Sequence, residues 1–196
     1  MTDPDTRPYR KQKRAEAEEK TRRRIVDAAV QLHGTVGPAS TTITEVARVA
    51  RVSRMTVYSH FATDVEMYKA CSSHWAEQNP FPDPSAWTED DPATRLESAL
   101  TELYSWYGGK RAMLGNVMRD APVVPALSEV MDSLWVSWID AVVGALSAGW
   151  LTGDPEARGA ALRLAVDFHS WRLLDASGLD AKRGAAVMTR MVCGLA

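Results

Sequence analysis

The chain has 196 residues, 45% of them hydrophobic and 24% charged, with a formal charge of −2. This is too apolar for a disordered chain and long enough to bury a real core, in one domain or two small ones. The two cysteines, Cys71 and Cys193, make no disulfide framework and no metal-ligand spacing, which excludes a secreted, disulfide-held fold and fits a reducing cytoplasm.

Charge is unevenly spread. Residues 1–60 hold 12 Lys+Arg and 7 Asp+Glu, a balance of +5, and residues 61–196 hold 11 and 18, a balance of −7. A basic end on an acidic body suggests that one end meets a polyanion, although a solvated basic tail would give the same balance.

Residues 1–15, with TDPDTRP followed by YRKQKR, read as a polar, mobile basic segment without the apolar run of a signal peptide. From about Ala15 the pattern turns helical: Ile25, Ala28, Ala29, Leu32 and Val36 follow i, i+3, i+4, i+7 spacing, and Gly34, Gly37 and Pro38 close that helix. Thr42-Ile-Thr-Glu45 has the form of a capping box. It opens a short helix to about Ala50, and Ser53 caps another over 54–60. Thr63-Asp64 starts a longer helix that NPFPDP stops near Gln78.

The acidic remainder reads as further helices. Asp91-Pro92 opens one that Gly108-Gly109 should end, and a shorter one follows over 110–120. A long helix is expected from Pro125 to Leu151. Its apolar part, residues 134–151, contains Asp140, two serines and two glycines, a poor membrane span and a good buried helix. Asp154-Pro155 opens a helix to about Ser177, and Asp180 starts the last one, to about Leu195. No strand-like alternation or internal repeat is present, so the expected class is all-α.

Two short helices joined by a tight turn, with the first helix against them, make a helix-turn-helix unit. Val46, Ala47, Ala50, Val52 and Val57 supply a small interior, while RMTVYSH is too polar for a core helix. A helix that enters the major groove needs donors near its start and phosphate contacts at its ends.

The segment TTITEVARVARVSRMTVYSHF (41–61), preceded by IVDAAVQLHGTVGPAS, resembles the DNA-binding domain of the TetR family of transcriptional regulators. The resemblance covers roughly residues 20–70. It implies groove or phosphate contacts from Thr42 and Thr44 and base-edge contacts from Arg54, Met55, Thr56 and Ser59. Phosphate contacts are implied for Tyr58 and His60, with Ser53 as the helix-capping member of the site. Tyr58 could instead be a core aromatic, His60 a helix-end packing residue, and Arg48 a solvated one. Three positions depart from the family pattern: Arg51 replaces the turn glycine, Asp64 stands where a lysine is usual, and His33 replaces an aromatic. Arg51 is expected to take over part of the phosphate contact that Asp64 forgoes.

Composition and the resemblance together imply three parts: from composition a basic flexible arm over 1–19, and from the resemblance a helix-turn-helix domain over 20–66 and a helical effector-binding and dimerisation domain over 67–196. Five of the seven tryptophans lie within 101–171. Tyr104, Tyr107, Met118, Trp135, Trp138, Asp167 and His169 are the candidate ligand residues, for an effector of unknown class. Leu164, Phe168, Trp171, Met188, Met191 and Leu195 are candidates for a homodimer interface, with intramolecular core as the alternative.

The expected function is a cytoplasmic, homodimeric regulator on a palindromic double-stranded operator, a repressor released by a small molecule. It needs no cofactor, metal or membrane. A thiol-based redox or electrophile sensor acting through Cys71 is the alternative. An enzyme is disfavoured, because the chain has no nucleophile–base motif, phosphate loop or metal spacing.

Overall fold

The computed structural model describes residues 6–194, and among these every regular element is helical. The elements are α1 (Thr6–Thr35), α2 (Ile43–Ala50), α3 (Arg54–His60), α4 (Asp64–Gln78), α5 (Pro92–Asp120), α6 (Pro125–Met131), α7 (Ser137–Ser147), α8 (Pro155–Val166), α9 (Phe168–Ala176) and α10 (Ala181–Cys193). A π turn over Asp132–Val136 separates α6 from α7. The expected all-α class is thus borne out. Two compact units are present: residues 1–79 with 115–130, and residues 80–114 with 131–196. The first therefore draws in a later segment that a linear division of the sequence does not anticipate.

In the first unit, Ile25, Val26, Ala28 and Ala29 of α1 meet Val46, Ala47 and Ala50 of α2 and Val57 of α3, and Phe61, Met67 and Cys71 close the core. Alanines at the contact let short helices cross closely, and burial of the larger apolar groups supplies the driving force, at roughly 25 cal/mol per Å². Val36, expected on the inner stripe, is exposed, because the helix has ended one residue earlier. The chain turns there at Gly37, at φ 94°, and the last turn of α5 clamps the corner. Asp120 accepts from the Ala39 N–H at 2.9 Å and from Arg119 Nε at 2.6 Å, and Asn116 Nδ2 donates to the His33 carbonyl at 2.9 Å.

Four expected boundaries move. α1 is already helical at Thr6, well before Ala15, and Gln12–Glu16 and Arg14–Glu18 side-chain bonds support its exposed turns. Residues 6–19 are therefore helical. α5 runs unbroken through Gly108 and Gly109. Each glycine costs about 1 kcal/mol against alanine, less than the burial of Leu103, Tyr104, Tyr107 and Leu114 on the same helix returns. The stretch Pro125–Ser147 is apolar and long enough to cross a membrane. In the fold it is divided by the π turn, with Leu127 and Val130 packed in the first unit and Val142, Val143 and Leu146 in the second.

The expected single helix over 154–177 is broken at Asp167, whose ψ of 135° is extended. Its carboxylate caps α9 by accepting from Ser170 N at 2.8 Å. The break leaves carbonyls at the end of α8 without helical partners, and two tyrosines of α5 supply them. Tyr104 Oη donates to the Ala165 carbonyl and Tyr107 Oη to the Val166 carbonyl, each at 2.6 Å.

Candidate nucleic-acid interface

Thr42 caps α2, its hydroxyl accepting from Glu45 N at 3.2 Å. The reciprocal half of the expected capping box is replaced: Glu45 turns to Arg48, with Nε at 3.0 Å. A fuller version opens α4, where Thr63 accepts from Glu66 N at 3.2 Å and Glu66 reaches back to Ala62 N at 2.9 Å. Asp64, in that first turn, is exposed and complements the helix dipole instead of offering a cation.

Arg51 occupies the turn in the left-handed region, at φ 54° and ψ 50°, and is the sole non-glycine with positive φ among the described residues. Its N–H and that of Val52 close the helix end on the Arg48 and Ala47 carbonyls, at 3.2 and 3.0 Å. A residue that sequence reading overlooked holds this turn. Arg24, on α1, donates from its guanidinium to the Arg51 carbonyl at 2.9 Å and from Nε to the Ala50 carbonyl at 3.2 Å. These are the carbonyls that a helix end leaves free, and a guanidinium is a strong donor for them. In the sequence Arg24 is the last of three consecutive arginines, and nothing there singles it out.

Ser53 caps α3, accepting from Thr56 N at 3.0 Å, and its hydroxyl also shares a 2.8 Å hydrogen bond with Thr56 Oγ1. Val57 and Phe61 anchor the helix by burial. The opposite face carries Arg54, Met55, Tyr58 and Ser59, all exposed, at i, i+1, i+4 and i+5. Met55 is 76% and Tyr58 47% accessible, so Tyr58 is not a core aromatic. Thr42, Thr44 and Arg51 are exposed as well, whereas Thr56 and His60 are half-buried. His60 opens onto a groove of about 530 Å³ between α1 and α4, beside Arg22, Arg23 and Lys69. Arg22 itself lies over the Phe61 ring, 4.9 Å from its centroid. A short, firmly capped helix thus presents a guanidinium, a thioether, a phenol and a hydroxyl on one open face. That set can donate to guanine, touch thymine methyls and contact phosphate.

Residues 25–71 match the model of the bacterial regulatory proteins of the tetR family. That match covers the helix-turn-helix segment, so it is residues 25–71 that are similar to this family. Solved structures that share its fold include NalD, the secondary repressor of the MexAB-OprM multidrug efflux pump in Pseudomonas aeruginosa. NalD is 22% identical over 91% of this chain and 96% of that one, with a TM-score of 0.65. A transcriptional regulator from Rhodococcus sp. Rha1 is 19% identical over 89% and 95%, at 0.60. A TetR transcription regulator from Haloarcula marismortui is 16% identical over 91% and 97%, at 0.59. Comparison with curated proteins gave no match. The family and these neighbours are transcriptional regulators, not enzymes. TetR regulators bind operator DNA and small-molecule effectors, usually as dimers.

In the second unit the candidate ligand residues divide. Tyr104 and Tyr107 are fully buried, their hydroxyls bonded to the α8 carbonyls and pushed well above the usual tyrosine range by burial first, with the Asp167 charge adding. They are framework. Asp167 is the cap of α9, and His169 is exposed beside the Phe168 ring. Met118 belongs to the first unit, and the structure does not group it with the others. Trp135 and Trp138 are half-buried and meet with centroids 5.1 Å apart. Phe81 and Trp106, also half-buried, complete an aromatic wall with centroid spacings of 4.9 Å (Phe81–Trp138) and 5.2 Å (Phe81–Trp106). Sequence reading placed neither Phe81 nor Trp106 in the candidate site.

The dimer candidates also divide. Phe168 and Trp171 are buried in their own unit, packed on Tyr107 at centroid distances of 5.4 and 5.5 Å, and are core residues, not interface. Leu164 and Met191 are 62% and 63% accessible, Met188 is half-buried, and Leu195 lies outside the described residues. Leu173 of α9, 73% accessible, joins the exposed set. Cys71 is buried, and burial pushes its thiol up to about 12. A thiol that scarcely ionises and meets no solvent is a poor electrophile sensor, which removes the support for that alternative.

Proposed function

We propose that the chain is a homodimeric, cytoplasmic repressor that holds a palindromic operator and releases it when a small molecule occupies the second unit. The observation that carries the reading is the open face of α3, where Arg54, Met55, Tyr58 and Ser59 stand clear of a helix fixed by Val57, Phe61 and the Ser53 cap. Arg54 and Ser59 read bases, Met55 and the Thr56 methyl touch thymine, and Tyr58, Thr42, Thr44, Arg51 and His60 contact phosphates. One such helix reads only a few base pairs, so a two-fold dimer with half-sites about 34 Å apart is required. Leu164, Leu173 and Met191 offer apolar surface for it on three helices of the second unit. The effector lies against the wall of Phe81, Trp106, Trp135 and Trp138, beside a π turn of the kind that recurs at ligand sites. This wall favours a flat or aromatic molecule.

The test is selection of duplexes from a random library by the full chain, followed by binding at two salt concentrations. Arg54→Ala should weaken binding about 5- to 100-fold, the range for loss of one bidentate base contact. An Arg54→Ala, Tyr58→Ala double variant that bound the selected duplex as wild type does would sink the proposal.

A further inference from the structure

Helix α1 overshoots the domain it serves. Ile25, Ala28 and Ala29 lie in the core and Leu32 packs against it, while residues 11–20 are exposed throughout and the helix still continues back to Thr6. An α-helix returns to the same face after about 18 residues, five turns of 3.6. Counting that interval back from Ile25, Ala28, Ala29 and Leu32 gives positions 7, 10, 11 and 14, which are Arg, Arg, Lys and Arg. The stripe that is apolar against the helix-turn-helix is therefore cationic beyond it, about 27 Å along the axis at 1.5 Å per residue. Glu16 and Glu19 fall on the other side of the helix. Glu18, which shares the stripe, is paired with Arg14 at 3.0 Å, with both side chains largely in solvent.

The direction of the overshoot is fixed by two contacts. Arg24 bonds the α2–α3 turn and Arg22 stacks on Phe61 just past α3, so α1 leaves the domain beside the reading helix. The stripe continues on the side of α1 that faces the helix-turn-helix. Between Arg7 and Arg14 there are five cations and no acidic residue.

We infer that the Thr6–Lys20 part of α1 is a rigid basic spur whose stripe of Arg7, Arg10, Lys11 and Arg14 binds the sugar-phosphate backbone flanking each half-site. This inference rests on the proposed operator-binding function. Phosphates are the fitting occupant, because a run of cations on one helical face matches a regularly spaced polyanion. The exposed Arg14–Glu18 pair is weak enough to yield to them.

Two duplexes test it: the selected operator cut at the outer edges of its half-sites, and the same operator with ten further base pairs on each side. Wild type should bind the long duplex about 10-fold or more tighter than the short one at physiological salt. The variant with Arg7, Arg10, Lys11 and Arg14 all changed to Ala should lose that advantage, with a salt slope on the long duplex lower by about 2–4 per protomer. Ala17→Pro keeps every cation but breaks the helix between the cationic stripe and the domain, and should lose the flank advantage too. Equal wild-type affinity for both duplexes, with Arg54→Ala still crippling each, overturns the spur and leaves the operator-binding function standing. An Ala17→Pro variant with the full flank advantage overturns the rigid placement. Failure of wild type to select or bind any duplex overturns both. A partner other than DNA, such as an acidic protein or lipid surface, would leave the flank length without effect and so also refutes it.

Discussion

Replacing Arg51 by glycine should strengthen the fold and weaken the grip on DNA, two effects that separate cleanly. The residue sits at φ 54°, where a Cβ meets its own backbone at a cost of roughly 1–2 kcal/mol. Glycine removes that strain but brings back about 0.5–1 kcal/mol of unfolded-state entropy. The net gain is about 0.5–1 kcal/mol, a rise of about 1–4 °C in melting temperature for a chain of this length. The turn's fixing contacts survive, because Arg24 bonds the backbone carbonyls of Ala50 and Arg51, not the Arg51 side chain. Arg51→Ala is the control: it keeps the strained backbone and removes only the charge, so it should melt with wild type. On operator DNA both variants should bind more weakly, with a salt slope shallower by about 1 per protomer for each lost phosphate contact. Thermal melts and salt titrations of the three proteins decide the matter. Equal melting of Arg51→Gly and Arg51→Ala would refute the strain argument, and an unchanged salt slope in both would refute the phosphate contact.

Gly37→Ala should destabilise by about 2–4 kcal/mol in urea unfolding, since φ 94° is strained for any side chain and the new Cβ would drive into the Arg119 guanidinium and come to 2.5 Å from Asp120 Oδ2. Burial holds the His33 imidazole down at about 4, with the Asp120 charge opposing, so it stays neutral in the fold but protonates near 6.5 when unfolded. The unfolded chain therefore binds more protons below 6.5, and stability that is full above that pH is lost as pH falls towards 4. Between pH 7 and 5 wild type should lose about 2 kcal/mol on this account, and His33→Phe, free of the buried Nε2 that has no hydrogen-bond partner, should show a flatter profile over the same window. Cys71, with its thiol at about 12, should be alkylated by iodoacetamide at pH 8 on the order of 10³-fold more slowly in the native chain than in urea, and DNA binding should survive the treatment.

The helix-turn-helix was legible because its signals are local. Thr42, Ser53 and Thr63 each cap the helix that follows, and the ends of α2, α3 and α4 fall where those caps and the breakers NPFPDP place them. Signals that compete with tertiary packing misled. Gly108-Gly109 is a helix breaker by propensity, yet it lies between buried turns that outweigh it. At Asp167 the opposite occurs: an apolar periodic run continues through a break whose cost is met by tyrosines some sixty residues away. Arg24 was invisible for the same reason, since its partner is backbone 26 residues on. In the candidate effector region composition pointed to aromatics in general. It could not separate Tyr104, Tyr107, Phe168 and Trp171, which are buried framework, from Phe81, Trp106, Trp135 and Trp138, which are half-buried.

The two tyrosine hydroxyls also limit how the second unit can move. Tyr104 and Tyr107 are three residues apart on α5, and their acceptors, Ala165 and Val166, are neighbours on α8. A single hydrogen bond is a pivot, but two of them at different heights act as locating pins that fix rotation and sliding together. A shift of one residue in register would strip both buried hydroxyls at once, at about 1–3 kcal/mol each. The α5–α8 contact is thus a stator, held in rotation and register together by two buried bonds.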